Sequence, residues 1–150
     1  MSFYTFILIV TGACLPASAQ NATTGANTGL NYSFVEKWGS LGTGPGQFHR
    51  PHDIAFDSSG NIYVSDRDNN RIQKFTHNGT FLKTWGSKGT ANGQFSIPYS
   101  IAMDNSDKIY VADRENSRIQ KFDTNGNFLG KFGSDGTGNG QFHRPEDIRI

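Results

Sequence analysis

The sequence predicts an all-β fold, a β-propeller built from four-stranded antiparallel blades, and three observations lead to it. Only 35% of the 150 residues are hydrophobic, while 18 are glycine and 12 are phenylalanine, a composition typical of a turn-rich β protein with aromatic burial. Residues 34–150 repeat with a period of 47, the spacing that separates Trp38, Trp85 and Phe132. Each repeat divides into four short strands, and four strands in 40–50 residues make one propeller blade.

Four apolar segments of the first repeat predict the strands of one blade. They are DIAFD (53–57), IYVSD (62–66), RIQKF (71–75) and FLKTW (81–85), separated by the polar turn sequences SSGN, RDNN and HNG. β-Branched and aromatic runs bounded by such turns favour strands. Apolar residues occupy both faces, as in Ile62-Tyr63-Val64, which favours a sheet packed between two neighbouring sheets.

The same pattern places blades at 53–85 and 100–132, with a third beginning at 147–150. Residues 34–38 are predicted to be an outermost strand that closes the ring by pairing with the last blade. A closed propeller needs at least about four blades. We therefore expect a fragment of a larger ring, completed by missing blades of a longer chain or by self-association.

The segment GTGPGQFHRPHD (42–53) joins consecutive blades. A phosphate-binding loop would need a strand before it, a helix after it and a well-placed lysine. Here a strand follows and no lysine is placed, so we expect the glycines to supply positive φ in a tight turn. Phe48 and Phe95 are expected to wedge between adjacent sheets.

The N-terminal sequence predicts an exported protein. Residues 1–19 combine a short apolar segment with Ala17-Ser18-Ala19 before Gln20, the pattern of a cleaved signal peptide. An uncleaved N-terminal anchor is the alternative. Residues 20–33 are small, polar and uncharged, typical of a disordered tether. We expect a secreted or cell-surface protein, with possible glycosylation at three Asn-x-Ser/Thr triplets, namely Asn21, Asn31 and Asn78.

Two sets of polar residues recur at the repeat spacing. Asp66, Asn69 and Arg71 in the first repeat correspond to Asp113, Asn116 and Arg118 in the second. Catalysis needs one site, whereas every blade needs its second turn held. We therefore interpret both sets as structural, with Asp and Asn accepting turn N–H groups and the arginine bridging back across the hairpin.

Other positions vary between repeats and are candidates for function. His52 is replaced by Tyr99 in the second repeat and by Glu146 in the third.

The net charge is +1 and no lysine or arginine run occurs, so a nucleic-acid partner is not expected.

The segments GNIYVSDRDNNRIQKF and DKIYVADRENSRIQKF resemble the NHL repeat, as does the pattern GQFxxPxxIAxD. This resemblance covers residues 34–150 and implies a propeller of typically six blades. NHL propellers bind proteins, RNA or glycans, or act as lyases, so the repeat alone does not fix a function. We predict a binding scaffold for protein or glycan ligands that needs no cofactor, with its contact surface at His52, Arg67, Tyr99 and Arg114.

An alternative follows from a weaker resemblance. RPHDIAFDSSGNIYVSDRDNNRIQKF is similar to the lyase module of peptidylglycine amidating enzymes. The resemblance implies zinc held by single histidines from different blades and an arginine that binds the substrate carboxylate. His52 matches a zinc position, Arg67 matches the arginine, and Arg114 stands at the equivalent place one blade on. The catalytic tyrosine of that family has no match here, and its cysteines are absent.

Overall fold

The computed structural model describes residues 37–150. They form ten β-strands and two single turns of 3₁₀ helix, and within this range no helix is long and apolar enough to cross a membrane. The strands are β1 (Ser40–Leu41), β2 (Gln47–Phe48), β3 (Pro51–Phe56), β4 (Ile62–Asp66), β5 (Arg71–Phe75), β6 (Phe81–Trp85), β7 (Pro98–Met103), β8 (Ile109–Asp113), β9 (Arg118–Phe122) and β10 (Phe128–Phe132).

Two four-stranded antiparallel sheets make up most of the described chain. Sheet 1 has the order β3-β4-β5-β6 and sheet 2 the order β7-β8-β9-β10, so each strand pairs with the next along the chain. This confirms the predicted fold class of four-stranded blades, and the two sheets do not close into a ring. The first strand differs from the prediction of 53–57: it begins at Pro51, which pairs with Asp66 ahead of a bulge. Asp57 instead closes the following turn, accepting the Asn61 N–H at 2.8 Å.

The two sheets pack face to face around one apolar cluster. Sheet 1 contributes Tyr63 and Ile72, and sheet 2 contributes Ile109 and Phe122, all buried. Phe95, in the connection between the sheets, is fully buried among them, as the sequence predicts. Burying aromatic and aliphatic area on this scale is the main source of stability for so short a fold.

The connections between blades turn at glycines. Gly46 and its repeat equivalent Gly93 have φ of 70° and 80°, the left-handed region in which glycine carries no side-chain penalty. The glycine-rich segment is therefore a turn, as predicted. It closes with short parallel pairings, β1 with β2 and Lys88 with Phe95.

Both ends of the repeat array include predictions that remain untested. Residues 147–150, where a third blade is predicted to begin, form no strand; the second strand with which such a strand would pair is not among residues 1–150. The signal peptide (1–19), the tether (20–33), Asn21 and Asn31 lie outside the described residues. Of the predicted strand 34–38, only Lys37 and Trp38 are described.

A buried carboxylate organises each blade. Asp113 is inaccessible to solvent and accepts hydrogen bonds from Arg118 Nε at 2.7 Å and from Asn116 Nδ2 at 2.9 Å. It also accepts the backbone N–H of Ser96 at 2.7 Å. Asp66 is equivalent, with Arg71, Asn69 and His49 as its donors. The backbone donor therefore comes from the inter-blade connection rather than from the aspartate's own turn, which corrects the expectation from sequence.

Replacing Asp113 by Asn should destabilise the protein strongly, because the buried Arg118 guanidinium then loses its counter-charge. We expect a loss of about 3–5 kcal/mol in the free energy of unfolding, the usual cost of breaking a buried ion pair. Urea unfolding followed by tryptophan fluorescence measures it. Asp135→Asn is the control, since that carboxylate is 73% exposed and should shift the midpoint little. Equal midpoints for the two variants would contradict this role.

Two glycines provide a matched test of packing in the connections. A Cβ on Gly86 would lie 2.6 Å from Phe95 Cδ2 and 3.0 Å from the Asn70 carbonyl oxygen, whereas a Cβ on Gly93 meets nothing within 4 Å. Both residues have positive φ, so both alanine variants carry the left-handed penalty of about 1–2 kcal/mol. Gly86→Ala should cost a further ~1–3 kcal/mol of overpacking. Thermal unfolding compares them, and a Gly93→Ala variant that is less stable than Gly86→Ala would refute the packing.

Candidate functional site

The candidate site lies where the first strands of the two sheets run side by side. Asp53 of β3 accepts hydrogen bonds from Ser100 Oγ at 2.7 Å and from the Ile101 N–H at 3.0 Å, both in β7. Ser65 Oγ donates to the Tyr99 carbonyl oxygen at 3.0 Å. These bonds fix β7 relative to β3 and β4, and so fix the side chains at the N-terminal ends of β3 and β7.

Four side chains of the predicted contact surface come together there, and we call them the arginine–tyrosine row: His52, Arg67, Tyr99 and Arg114. Tyr99 is at the centre. The Arg67 and Arg114 guanidinium carbons each lie 5.5 Å from the centroid of its ring, within the range of cation–π attraction. The His52 ring packs against the same ring, with 3.5 Å between centroids and 37° between planes.

The repeat explains why these side chains meet. Arg67 and Arg114 begin the 3₁₀ turns that follow β4 and β8, at equivalent places in the two blades. The residue that follows each turn, Asn70 or Ser117, is in the αL conformation, so the chain reverses tightly and leaves the arginine at the end of the sheet. Tyr99 lies at the start of β7, between these two ends.

The two arginines differ in their acidic partners. Arg114 holds Glu146, with Nε–Oε1 and Nη2–Oε1 distances of 2.9 and 2.8 Å, and it also contacts Glu115. The hydrogen bond that Arg114 donates to the Glu146 carboxylate raises the pKa of the guanidinium above its ordinary value, against the opposing effect of desolvation. Within residues 37–150, the acidic side chain that pairs with Arg67 is Asp68, at 3.4 Å from its Nε. That Nε is buried and makes no hydrogen bond.

The position of Glu146 shows what sequence reasoning missed. Glu146 occupies in the third repeat the position that Tyr99 holds in the second. Each arginine therefore faces the residue 32 positions further along the chain, a tyrosine for Arg67 and a glutamate for Arg114. The recurrence of the repeat position was the signal that could have found this pair.

His52 does not form part of a metal site within the described residues. A catalytic zinc needs three protein ligands, and between residues 37 and 150 no three His, Cys, Asp or Glu side chains are grouped to hold a metal ion. The exposed His52 side chain instead packs on Tyr99. Among the described residues, His52 therefore does not fit a zinc centre.

Asn78, the one predicted glycosylation site in the described chain, lies in the turn between β5 and β6. Its side chain is exposed, and Thr80 Oγ1 donates to its Oδ1 at 3.2 Å. The site is thus accessible and distinct from the row.

Comparison with known proteins agrees with the repeat architecture. The family model described as NHL repeat matches residues 48–75 and 95–122. NHL repeat-containing protein 3 from Homo sapiens is 46% identical over 48 residues, which cover 31% of this chain and 14% of that protein. Protein lin-41 from Caenorhabditis elegans is 38% identical over 82 residues, covering 51% of this chain and 7% of its own length.

A third relative, the E3 ubiquitin-protein ligase TRIM32 from Homo sapiens, is 44% identical over 46 residues, 31% of this chain and 7% of that ligase. The chain therefore spans only a small part of each relative that it matches. The matched residues run from the wedge phenylalanine to the end of the third strand in each blade. The chain thus contains two NHL repeats, at residues 48–75 and 95–122.

Proposed function

We propose that this protein is an exported binding scaffold that captures an acidic segment of a protein partner on the arginine–tyrosine row. The observation that carries the proposal is the Arg67–Tyr99–Arg114 stack at the edge where β3 and β7 meet. Export rests on the signal-like residues 1–19, and an accessible Asn78 is compatible with glycosylation in that setting.

The residue types of the row favour a protein partner. Tyrosine and arginine are enriched among the residues that contribute most to protein–protein binding. Stacking on Tyr99 holds both guanidinium groups in place before a ligand arrives, so less conformational entropy is lost on binding. The NHL repeat itself generally mediates protein–protein interaction.

The ion pair of Arg114 supports an acidic ligand. Glu146 shows how an arginine at this repeat position takes a carboxylate, through Nε and Nη2 to one oxygen. Arg67 stands at the equivalent position but faces Tyr99, and its side chain is 28% exposed. A glutamate or aspartate of the partner can therefore pair with Arg67, and charge-assisted bonds of this type are among the stronger hydrogen bonds.

A fluorescein-labelled peptide with several glutamates spaced by glycines is the probe for this site. The full chain should bind it, and a peptide with glutamine at each glutamate should bind more weakly. Arg67→Gln should weaken binding about tenfold, the effect of losing about 1.4 kcal/mol, and Tyr99→Ala should do the same by releasing both guanidiniums. Fluorescence anisotropy measures affinity.

Lys83→Gln provides the matched control, because it removes one exposed positive charge from the outermost strand of sheet 1, away from the row. Its affinity should equal that of the parent protein. If Lys83→Gln and Arg67→Gln weaken binding equally, the peptide responds to the net charge of the protein and not to the row, which contradicts the proposal. Equal affinity for the glutamate and glutamine peptides would overturn the acidic-ligand proposal.

A further inference from the structure

The connection between the two sheets differs from its repeat equivalents where it enters the next blade. At these places the chain reads HRP (49–51), SIP (96–98) and HRP (143–145). The first and third segments are identical, so the middle one departs from the pattern, with a serine for the histidine and an isoleucine for the arginine. The middle segment also adjoins the row, because Tyr99 follows Ile97 by two residues.

Ile97 has a backbone conformation that is costly for isoleucine. Its φ is 60°, in the left-handed region, where a β-branched residue is an outlier. Arg50 and Arg144 have the same conformation, with φ of 51°, so the fold imposes it on this position whichever residue is there. Backbone strain of this kind persists only where the surrounding structure holds it, and it is concentrated at sites that bind ligands.

The apolar core does not account for the isoleucine. Ile97 is half-buried. Among the described residues it belongs neither to the cluster between the sheets nor to the cluster around Phe48 and Phe75. The isoleucine therefore leaves part of its apolar surface in water without adding to either cluster.

The backbone of Ile97 is fixed between the two 3₁₀ turns that carry the arginines of the row. Its N–H donates to Asn70 Oδ1 at 2.9 Å, and Asn70 follows the turn that begins at Arg67. Its carbonyl oxygen accepts the N–H of Arg114 at 3.2 Å. Ile97 therefore lies next to the row, at the junction of two complete four-stranded sheets.

An arginine at this position would suit a ligand that is acidic throughout. Arg50 pairs with Asp68 at 3.7 Å, and Arg144 pairs with Glu115 at 3.1 Å, so both equivalents of Ile97 bring a positive charge to this surface. Isoleucine brings none, and it places an apolar side chain beside the row instead. The residue type at this position therefore favours a ligand that is partly apolar.

We propose that Ile97 is the apolar subsite of the row, and that it contacts an aliphatic side chain of the partner next to the acidic residue that pairs with Arg67. This inference rests on the proposed function. It narrows the partner from an acidic segment to one in which an acidic and an aliphatic residue are neighbours. Burial of the aliphatic side chain contributes affinity that charge alone does not supply, so segments that are only acidic bind less tightly.

Four fluorescein-labelled peptides test the inference on the full chain. They extend the glutamate–glycine probe: glutamate or glutamine at the acidic positions is combined with glycine or leucine at one spacer. The glutamate peptide with leucine should bind about tenfold more tightly than the one with glycine, the effect of burying part of a leucine side chain. Ile97→Gly should remove this preference for leucine, because glycine adopts the left-handed φ and offers no side chain.

Leu82→Ala is the matched control. Leu82 is 47% exposed and lies in the outermost strand of sheet 1, so its truncation should leave the preference for leucine as it is in the parent protein. Thermal unfolding gives a second readout. Ile97→Gly should not lower the Tm, because relief of the strain offsets the apolar area lost, and a lower Tm would show that Ile97 serves the fold instead.

The two peptide contrasts separate this inference from the proposed function. Equal affinity for the leucine and glycine peptides, with glutamate still preferred over glutamine, overturns the inference alone. Equal affinity for the glutamate and glutamine peptides overturns the proposed function together with the inference that rests on it. A preference for leucine that persists in Ile97→Gly assigns the apolar contact to another surface and also overturns the inference.

Discussion

The buried aspartate of each blade is the interaction on which the rest of the structure depends. Asp66 and Asp113 have no solvent access, so their charge is tolerable only with a full set of donors. Those donors come from three elements: the arginine and glutamine of the third strand, the asparagine of the 3₁₀ turn, and the backbone of the preceding connection. One carboxylate therefore ties a connection, a turn and a strand together.

The arginine that pairs with this carboxylate also holds the inter-blade connection in place. Besides Asp113, Arg118 donates to the carbonyl oxygens of Thr90, Ala91 and Gln94. The inter-blade connection has few regular backbone pairings, so these bonds satisfy carbonyl groups that would otherwise lose hydrogen bonds on burial. Phe95 follows directly in the chain and is thereby held between the sheets. The polar network thus positions the apolar wedge.

The fold was predictable because the residues that determine it occur in both repeats. Strand sequences, the wedge phenylalanines and the Asp–Arg pair all recur at 47 residues, and the structure forms the four-stranded sheets that they predict. The first strand begins at Pro51 rather than at the predicted Asp53, because the bulge after Pro51 could not be deduced from apolar alternation. The arginine donor to Asp66 is the predicted one, but the backbone donor is not, because the His49 N–H comes from a connection that is distant in sequence.

The row was predictable only in part. Variation between repeats singled out its four members, but spacing within one repeat could not show that Arg67 meets Tyr99 of the next blade rather than His52 of its own. That contact depends on the lateral packing of β3 on β7, fixed by Asp53 and Ser100. The sequence also did not show that Glu146 pairs with Arg114, because the two residues belong to different repeats.

Fixed and variable positions therefore have separate roles in this chain. The buried carboxylate requires the same residues in each blade and leaves them no freedom to differ. The position that holds His52, Tyr99 and Glu146 supplies none of the hydrogen bonds described above for the buried aspartates, so this network does not require one residue type there. A tyrosine there stacks two guanidiniums, and a glutamate there neutralises one. The side chain at this position can thus differ from one blade to the next, while the buried network stays the same in both.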